Sequence, residues 1–441
     1  MIDHVLRAAR GAGVERIVVV LGHEAETVKA ALPERVTTVL QDPQWGTGHA
    51  VSTALSALPD EGVTFILSGD MPLLKPRTLE ALYARHRHDG QPLSLVSAVA
   101  PQPHGYGRIL RDGANCVVAV KEQKELTPDQ EHIDEVNCGL YCADIAWLRR
   151  NLAALPRHGD GEYYLPDLVA MALDEGGVGV LDGADAAEMQ GVNTRVQLAE
   201  ASAALHARIN VAHMLGGVTI VDPAATYIDI DVVIGADTVV HPHTYLSAAV
   251  IGRGCTLGPD SEVRGGVIHD DAVVARSQVL DSTVESGARV ERSVVEGGSH
   301  VGRDCLVGPF SHLRSKAILH QGAEVGNFAE VKNSTLGVNA ANHHLGYLGD
   351  AVVGAETNIG AGTITCNYDG VRKHRTTIGA HVFVGSGTLL RAPVVLGDGA
   401  NTGAGSVVLQ DVAPGQMVAG VPAKPIISKR SASEPSGEKT D

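Results

Sequence analysis

Several residues in the second half of the sequence have side chains suited to moving a proton and holding a phosphate. His343 and His344 stand side by side, and Asp350 follows six residues after the second histidine. An imidazole titrates near neutral pH, so either histidine can act as a general base. Arg314 and Lys332 offer a bidentate fork and a point charge, which together suit a dianionic phosphate. The residue types alone leave open which histidine acts and whether the cations are ordinary surface charges.

The first half of the sequence contains a carboxylate placed where a metal could bind. Asp70 lies in the apolar run 64–74 (TFILSGDMPLL), at the end of a predicted buried strand. A carboxylate at the carboxyl end of such a strand suits a hard, oxygen-preferring cation, although it also suits a loop cap. The six cysteines are scattered, and only Cys138 and Cys142 are close together, without further ligands nearby. We therefore expect free thiols and no cysteine-bound metal.

The composition excludes several classes of protein. The chain has 441 residues and a formal net charge of −16, from 35 basic and 51 acidic residues. This acidic balance and an aromatic content of 3% argue against nucleic-acid binding, which needs clustered cations or stacking platforms. No apolar run approaches the roughly 18 residues that span a bilayer, and the first ten residues predict a helix rather than a signal peptide. We expect a cytoplasmic protein without nucleic-acid or membrane partners.

The pattern of apolar segments predicts an α/β domain at the N-terminus. The run 16–22 (RIVVVLG) predicts a strand buried on both faces, and 23–32 (HEAETVKAAL) has helical periodicity. The strand predicted within 64–74 is followed by a helix at 78–87 (TLEALYARHR). Strands that alternate with helices are typical of a doubly wound, Rossmann-like parallel sheet, which binds ligands at the carboxyl ends of its strands.

The second half of the sequence has a six-residue repeat, which is typical of a parallel β-helix. In such a fold each repeated aliphatic residue points to the axis, and three faces complete one coil that is stable only when stacked. Stacked coils also explain why 31 of the 51 glycines lie after residue 216. The repeat consists of pairs in which an aliphatic residue precedes glycine, and of two stretches that keep the step without it: Ile251 and Leu257, Val301 and Val307, Val353 and Ile359, Ile378 and Val384; then Val267, Val273 and Val279, and Leu390, Leu396, Thr402 and Val408.

These patterns divide the chain into four predicted segments. Residues 1–195 form the α/β domain, 196–216 a helical linker, 217–427 the β-helix and 428–441 a polar, disordered tail. The linker belongs to a longer helical pattern at 192–217. We expect this helix to act as a simple connector.

Strings in both halves resemble those of a known enzyme family. The first half resembles a sugar-nucleotide pyrophosphorylase in Gln41 with GTGHA (46–50), SGDMPLL (68–74), GYGRI (105–109), VKEQK (120–124), VNCG (136–139), GEYYLPD (161–167) and GVNTR (191–195). The second half resembles a hexapeptide-repeat acetyltransferase in GPF (308–310), EVGNFAEVKN (324–333), LGYLGD (345–350), NIGAGTITCNYDG (358–370) and VFVGS (382–386). In this order the sequence resembles the bacterial bifunctional family that fuses an N-acetylglucosamine-1-phosphate uridyltransferase to a glucosamine-1-phosphate N-acetyltransferase. The resemblance implies a left-handed β-helix and two activities in UDP-N-acetylglucosamine synthesis.

The resemblance assigns roles to residues of the second domain. It selects His344 over His343 as the catalytic base. It implies that the sugar phosphate is bound by Arg314, Lys332, Tyr347 and Asn358, and that acetyl-CoA is bound by Ala361, Asn367, Tyr368, Ser386 and Ala404. Asn358 could equally belong to a structural ladder, and Lys373 suits either the CoA phosphates or a charged loop tip. Two departures from the family's pattern, LRSK at 313–316 and Gly346 in place of a common threonine, remove no group that the chemistry needs.

The resemblance likewise assigns the uridyltransferase site. Two anions, UTP and a sugar phosphate, meet in that reaction, which therefore needs a divalent cation and cationic clamps. Asp70 and Asn193 match the Mg²⁺ ligands of the family. The implied contacts to UTP and to UDP-N-acetylglucosamine are Gln41, Gly46, Thr47, Gly107, Glu122, Asn137 and Asn193. Cys138 stands where threonine is common, a change that we expect to be tolerated.

The family's pattern opens with a strand and a Gly-rich loop, LAAGxGTRM, followed by a lysine, which together hold the triphosphate. Residue 1 of this sequence matches the start of the helix after that region. We therefore expect an N-terminally truncated version of the family's sequence, without the first strand and the loop. A start assigned too late would leave a fragment of an ordinary bifunctional enzyme, which we favour. A degenerate first domain would leave acetyl transfer alone.

Two other functions compete with the bifunctional one. Another sugar nucleotidyltransferase could carry a regulatory β-helix, but His344, Lys332 and the NYDG string argue against it. A non-catalytic scaffold could use the β-helix only to trimerise, and His344 would then be replaceable without consequence. The resemblance implies a homotrimer, Mg²⁺ for uridylyl transfer, and four small-molecule substrates: acetyl-CoA, UTP, glucosamine-1-phosphate and N-acetylglucosamine-1-phosphate.

Overall fold

The computed structural model describes residues 1–426, apart from residues 34 and 102. It divides the chain into two compact units, of which the first comprises Met1–Leu205 and the second begins at His206. The division falls within the helix Arg195–Leu215, which corresponds to the helical pattern predicted at 192–217. The predicted tail, 428–441, lies outside the described residues. In the part of the chain that the structure describes, no helix is both long and apolar enough to cross a membrane.

Helices and strands alternate over about the first hundred residues, after which several strands and then two helices follow in succession. The helices are α1 (Ile2–Gly11), α2 (Ala25–Ala30), α3 (Gly46–Ala54), α4 (Pro76–Asp89), α5 (Ile145–Leu152), α6 (Asp167–Asp174) and α7 (Arg195–Leu215). The strands are β1 (Val18–Leu21), β2 (Thr37–Leu40), β3 (Val63–Ile66), β4 (Leu93–Val99), β5 (Gly107–Arg111), β6 (Val117–Lys121), β7 (Glu135–Asp144) and β8 (Val178–Leu181), with 3₁₀ turns at Leu55–Ala57 and Gln123–Glu125. The helices predicted at 23–32 and 78–87 are observed as α2 and α4.

The strands of the first unit form two sheets. β1 and β2 pair in parallel as a two-stranded sheet. The other six strands form a second sheet in the order β6–β5–β7–β4–β8, with β3 also paired to β7. β7 runs antiparallel to β3, β4 and β5, whereas β4 and β8 are parallel. The larger sheet is therefore mixed rather than wholly parallel, because the antiparallel β7 lies at its centre.

Helices cover both faces of the mixed sheet. On one face, Leu95 of β4 belongs to a buried cluster with Trp147 of α5 and Leu168 of α6. On the other face, the next residue of β4, Val96, lies in a cluster with Leu79 of α4. Successive side chains of a strand point to opposite faces, so β4 contributes to both cores. Each of these large apolar side chains stabilises the fold by roughly 1.5–3 kcal/mol when fully buried.

The strands β1 and β3 are less buried than the sequence predicts. Val18, Val20 and all four residues of β3 are only half-buried. β1 is an edge strand of its sheet, and both β1 and β3 line a cleft of about 1240 Å³ within the first unit. A strand that borders an open cleft exposes part of its side chains, which explains the difference. The same cleft contains most of the predicted uridyltransferase residues.

The second unit is a β-helix of three faces, and its strands are consistent with a left-handed coil. Face A consists of Thr219–Ile220, Val239–Val240, Thr256–Leu257, Val273–Ala275, Arg289–Glu291, Leu306–Val307, Glu324–Val325, Ala341–Asn342, Asn358–Ile359, Phe383–Val384, Asn401–Thr402, Met417–Ala419 and Lys424–Pro425. Face B consists of Thr226–Ile228, Thr244–Ser247, Ser261–Arg264, Gln278–Leu280, Val294–Val295, His312–Arg314, Ala329–Lys332, Gly346–Gly349, Ile364–Cys366, Leu389–Arg391 and Val407–Val408. Face C consists of Val233–Ile234, Val250–Ile251, Val267–Ile268, Thr283–Val284, His300–Val301, Ile318–Leu319, Thr335–Leu336, Ala351–Val353, Thr376–Ile378 and Val394–Leu396.

The interior of the β-helix is an aliphatic ladder, and most of the predicted repeat lies in it. The four predicted pairs, Val279 and the stretch that starts at Leu390 are all buried. The prediction is wrong at Val267, which is 37% exposed, and at Val273. The next residues, Ile268 and Val274, are the buried ones. In this part of the β-helix some faces span five residues instead of six. A strict six-residue step counted back from Val279 therefore reaches the residue just before the buried one.

Hydroxyl groups line the corner between faces A and B. Ser293 Oγ donates to Glu291 O at 2.7 Å, and Thr363 Oγ1 donates to Gly360 O at 2.7 Å. In two successive coils near His344 the hydroxyl-bearing residue is replaced, by Ala329 in one coil and by Gly346 in the next, and these two residues are paired in register. On face A of the coil that contains Gly346, Asn342 is fully buried and is paired in register with Val325 of the preceding coil. Neither the amide nitrogen nor the amide oxygen of Asn342 has a hydrogen-bond partner among the described residues. An unpaired buried amide is costly, so this coil is a weak point of the interior.

Replacing Asn342 by valine should raise the free energy of unfolding of the second unit by about 1–3 kcal/mol, because it removes two unpaired polar atoms from an aliphatic ladder. The shift is measured as the change in thermal or denaturant midpoint of the full chain. The reverse change on the neighbouring coil, Val325→Asn, is the matched control and should lower the midpoint. A lower midpoint for Asn342→Val would show that the amide has a stabilising partner.

Candidate active sites

Three basic side chains of the β-helix meet at one corner. Arg314 and Lys332 are neighbours in register on face B. The amine of Lys373 lies beside that of Lys332. Lys373 is the main cause of a lowered pKa at Lys332, Arg314 adds to the effect, and Asp350 opposes it. Such a group of converging cations suits a dianionic phosphate. Sequence reasoning left the partner of Lys373 open, because its loop position does not reveal which coil it reaches.

Two carboxylates lie beside these cations. Arg314 Nε donates to Glu330 Oε1 at 2.7 Å. The carboxylate of Asp350 accepts a hydrogen bond from the side-chain amide of Asn367, which is 7% exposed. The structure therefore brings Asn367, predicted as an acetyl-CoA contact, to the same corner as the cations. Tyr368, the next residue, is 60% exposed and donates from its hydroxyl to Gly370 O.

A glycine allows Tyr347 to reach the row of cations. On face B, Gly349 is paired in register with Lys332. The ring of Tyr347 lies over Gly349, where an added Cβ would stand only 2.6 Å from the ring carbon Cε1. A side chain at position 349 would therefore displace the phenol. The predicted phosphate residues Arg314, Lys332 and Tyr347 thus belong to one continuous surface of face B.

The two histidines are both exposed but have different surroundings. His343 Nε2 lies 2.5 Å from Glu324 Oε2, its partner on the preceding coil. The rings of His343 and His344 are nearly perpendicular, with centroids 6.2 Å apart. His344 directly precedes Leu345, at the corner between faces A and B. The pair with Glu324 was not predicted, because residues on successive coils are far apart in sequence.

A track of small residues leads away from His344 along the same corner. Ala361, Ser386 and Ala404 each precede a glycine with left-handed φ, at Gly362, Gly387 and Gly405. Backbone hydrogen bonds stack these corners directly on one another and on Leu345: Gly362 N to Leu345 O, Gly387 N to Ala361 O, and Gly405 N to Ser386 O. An extended ligand can lie against such a corner because its side chains are only those of alanine and serine. Asn358 lies elsewhere, exposed on face A.

The cleft of the first unit collects predicted uridyltransferase residues from six separate stretches of sequence. Asp70 and the predicted contacts Thr47, Gly107, Glu122, Asn137 and Asn193 all line it. Burial raises the pKa of Glu122, and the nearby Glu125 adds to the shift. Asn137 Nδ2 donates to the hydroxyl of Tyr141 at 2.6 Å, which fixes the orientation of the amide.

Asp70 and Asn193 are brought together by the backbone. Val192 N donates to Asp70 O at 3.0 Å. The carboxylate of Asp70 lies against Gly191, where an added Cβ would be 3.1 Å from Oδ2. One carboxylate and one amide oxygen fit Mg²⁺, which keeps several water or phosphate ligands. Among the described residues, no group of three or more His, Cys, Asp or Glu side chains could hold a metal ion by itself.

The remaining predicted residues lie at the start of α3. Gln41 Nε2 donates to Gly46 O at 2.9 Å, and Thr47 Oγ1 accepts from Leu165 N at 3.1 Å. Sequence reasoning missed Gln44, whose amide lies against Gly22 at the end of β1. It also missed Tyr106, which lines the cleft and whose pKa is raised by burial. Tyr106 stands inside the GYGRI string, so the string itself was the signal that could have identified it.

Comparisons with known proteins agree for both halves of the chain. Residues 1–131 match the family model of the MobA-like NTP transferase domain. The bifunctional protein GlmU of Mycobacterium bovis (strain BCG / Pasteur 1173P2) is 42% identical over 429 residues, which cover 95% of this chain and 83% of the relative. The GlmU proteins of Heliobacterium modesticaldum and Trichlorobacter lovleyi are 42% and 43% identical, and in each case 95% of this chain and 88% of the relative are covered.

Replacing Lys373 by alanine should raise the pKa of Lys332 toward the ordinary lysine value, because the closest positive charge is removed. The pKa is measured by NMR titration of ¹³C-methylated lysines, with Lys332→Arg used to assign the signal. Arg372→Ala removes a charge from the same loop and is the matched control, for which we expect no change. An equal pKa of Lys332 in both variants would contradict the contact between the two lysines.

Proposed function

The chain belongs to the GlmU family, and we propose how its residues divide the two reactions of this bifunctional enzyme. As an acetyltransferase it acetylates glucosamine-1-phosphate, and as a uridyltransferase it transfers the uridylyl group of UTP to the product, which gives UDP-N-acetylglucosamine and releases pyrophosphate. The predicted family, fold class and activity are thereby confirmed. Similarity over 95% of the chain argues against a different sugar nucleotidyltransferase and against a non-catalytic scaffold. The observation that carries the residue-level proposal is the convergence of Arg314, Lys332 and Lys373 on the β-helix.

In this proposal His344 is the base of acetyl transfer. It takes a proton from the ammonium group of glucosamine-1-phosphate, and the free amine attacks the thioester carbonyl of acetyl-CoA. An N–C bond forms, the C–S bond breaks, and the CoA thiolate leaves and is protonated. The pair between His343 and Glu324 supports this choice, because it occupies the rival histidine. The track that starts next to His344 supports it as well.

The sugar phosphate is held at the corner of the three cations. Arg314 and Lys332 bind its oxygens, Lys373 supplies a third positive charge, and the hydroxyl of Tyr347 adds a hydrogen bond. This proposal assigns Lys373 to the sugar phosphate rather than to CoA, because its amine meets Lys332. The sugar contact of Asn358 stays a prediction.

Acetyl-CoA lies along the track of small residues, against Ala361, Ser386 and Ala404. The left-handed glycines that follow them keep the corner bare, so the pantetheine arm can approach the backbone. The position of Asn367 and Tyr368 beside the cation corner supports a contact nearer to the sugar. Their contact with acetyl-CoA stays a prediction.

Uridylyl transfer takes place in the cleft of the first unit. Asp70 and Asn193 would hold Mg²⁺, which when bound neutralises charge on the UTP phosphates. Gln41, Gly46 and Thr47 orient the uracil, and Gly107, Glu122 and Asn137 orient the N-acetylglucosamine. The shared cleft supports this assignment for every residue except Gln41 and Gly46, which do not line it. Gln41 instead donates a hydrogen bond to the backbone of Gly46. A homotrimer with shared acetyl-transfer sites and a cytoplasmic location stay predictions.

Replacing His344 by alanine should lower kcat for acetyl transfer by roughly 10²–10⁴-fold, since a positioned base contributes that much. The rate is followed by release of the CoA thiol in the presence of glucosamine-1-phosphate. His343→Ala, one residue away, is the control and should retain most of the activity. If the His343 variant lost activity and the His344 variant kept it, the assignment of the base would be reversed.

Replacing Asp70 by asparagine should raise the Mg²⁺ concentration needed for half-maximal uridylyl transfer at least tenfold, because a charged metal ligand is lost. Pyrophosphate release from UTP is measured over a Mg²⁺ titration. Asp60→Asn, at an exposed site of the same unit, is the matched control. Acetyl transfer should be unchanged in both variants. An unshifted Mg²⁺ curve for Asp70→Asn would remove this residue from the metal site.

A further inference from the structure

We propose that Asp350 is a positioning residue of the acetyl-transfer site, which holds the loop 367–375 in place so that Lys373 meets Lys332. This inference rests on the proposed binding of the sugar phosphate by Arg314, Lys332 and Lys373, which together are called the cation corner. Asp350 itself is not assigned to contact substrate. Its part is to fix, before any ligand arrives, the distance between two amines that would otherwise repel each other.

Asp350 lies at the point where the loop is inserted into the β-helix. It follows the face B strand Gly346–Gly349 and has a left-handed φ of 52°. Its backbone N–H donates to Lys332 O at 3.1 Å, in the coil before it. Its carbonyl accepts from Thr376 N at 3.2 Å, in the coil after it. The chain from Asn367 to Arg375 therefore leaves the regular coil beside Asp350 and rejoins it at Thr376.

The carboxylate of Asp350 joins three successive coils. Oδ1 accepts from Asn333 Nδ2 at 2.6 Å, and Oδ2 accepts from Asn367 Nδ2 at 2.5 Å. An ionised carboxylate is the group that can accept at both oxygens. An asparagine at this position would turn an NH₂ group toward one of the two amides, and that contact would be lost.

Hydrogen bonds within the loop connect its first residue, Asn367, to the segment that contains Lys373. Asn367 O accepts from His374 N at 2.7 Å, which closes the base of the loop. The carboxylate of Asp369 accepts from Arg372 N at 2.6 Å and pairs with His374 Nε2 at 2.6 Å. A loop that is braced in this way moves as a unit, so the hold on Asn367 also fixes Lys373.

Charge explains why the loop needs such a hold. Lys332 and Lys373 are both cationic and adjacent, and Arg314 adds a third positive charge. Their mutual repulsion favours an arrangement in which the loop swings away. The negative charge of Asp350 acts on Lys332 in the opposite direction. Asp350 thus anchors the loop and offsets part of the repulsion, so that less of the phosphate's binding energy is spent on assembling the site.

The test is the substitution Asp350→Asn in the full chain, with steady-state kinetics of acetyl transfer. We expect the KM for glucosamine-1-phosphate to rise about tenfold, which corresponds to one lost charge-assisted hydrogen bond. The KM for acetyl-CoA should stay within about twofold, since the track of small residues is not held by Asp350. Asp281→Asn is the matched control, because Asp281 occupies the same kind of left-handed corner between faces B and C on an earlier coil. It should change neither constant.

A double-mutant cycle separates positioning from a general structural effect. If Asp350 acts through Lys373, the variant that combines Asp350→Asn with Lys373→Ala should have the same KM for the sugar phosphate as Lys373→Ala alone. Additive losses, or an unchanged KM in Asp350→Asn, would overturn the proposal. Should Asp350→Asn fail to fold, Asn367→Ala removes the same contact from the loop side and should raise the KM for glucosamine-1-phosphate by a similar factor.

A further variant distinguishes failure of this inference from failure of the proposed function. Lys332→Ala should raise the KM for glucosamine-1-phosphate if the cation corner binds the phosphate at all. A normal KM in Lys332→Ala would overturn the phosphate assignment itself. A raised KM in Lys332→Ala together with an unchanged KM for glucosamine-1-phosphate in Asp350→Asn would overturn only the role of Asp350.

Discussion

The hydrogen-bonded register between successive coils is the constraint on which the second unit depends. Each coil places its residues directly above those of the coil before it, as Arg314, Lys332 and Gly349 show on face B. Residues that are far apart in sequence therefore form straight rows. The corner track of small residues is a second row of this kind. The register therefore sets the geometry of the proposed acetyl-transfer site. The loop 367–375 lies outside the regular coil and is held by its contact with Asp350.

The first unit positions its site by a different route. Its candidate residues lie in loops and strand ends that converge on one cleft, and single backbone contacts set their relation. The hydrogen bond between Val192 N and Asp70 O places the loop that contains Asn193 beside the Asp70 carboxylate, which lies in the turn after β3. Helices on both faces of the mixed sheet keep β4 and β7 fixed, and Asn137, near the start of β7, reaches the cleft. Rigid layers thus support a site built from irregular segments.

Periodicity predicted the fold of the second unit well, because burial at a fixed step is a local property of the sequence. It failed at Val267 and Val273, where faces of five residues shift the interior by one position. Residue types could not choose between the two histidines, and the pairing of His343 with Glu324 joins different coils. The contact between Lys373 and Lys332 also depends on the path of a loop, which no local pattern encodes. Family strings pointed to the candidate residues, and the fold shows which residues surround them.

The repeated coil also has a consequence for how this domain can change in length. All the proposed acetyl-transfer residues follow the face B strand Val294–Val295, and the coils before it repeat the same three faces. Inserting or deleting one whole coil in that earlier region would shift the site along the axis without disturbing any of its rows. Adding a single residue within the site would instead put one row out of phase with the next. The β-helix therefore tolerates change in units of a full turn, and its earlier coils act as a spacer of adjustable length before the proposed acetyl-transfer segment.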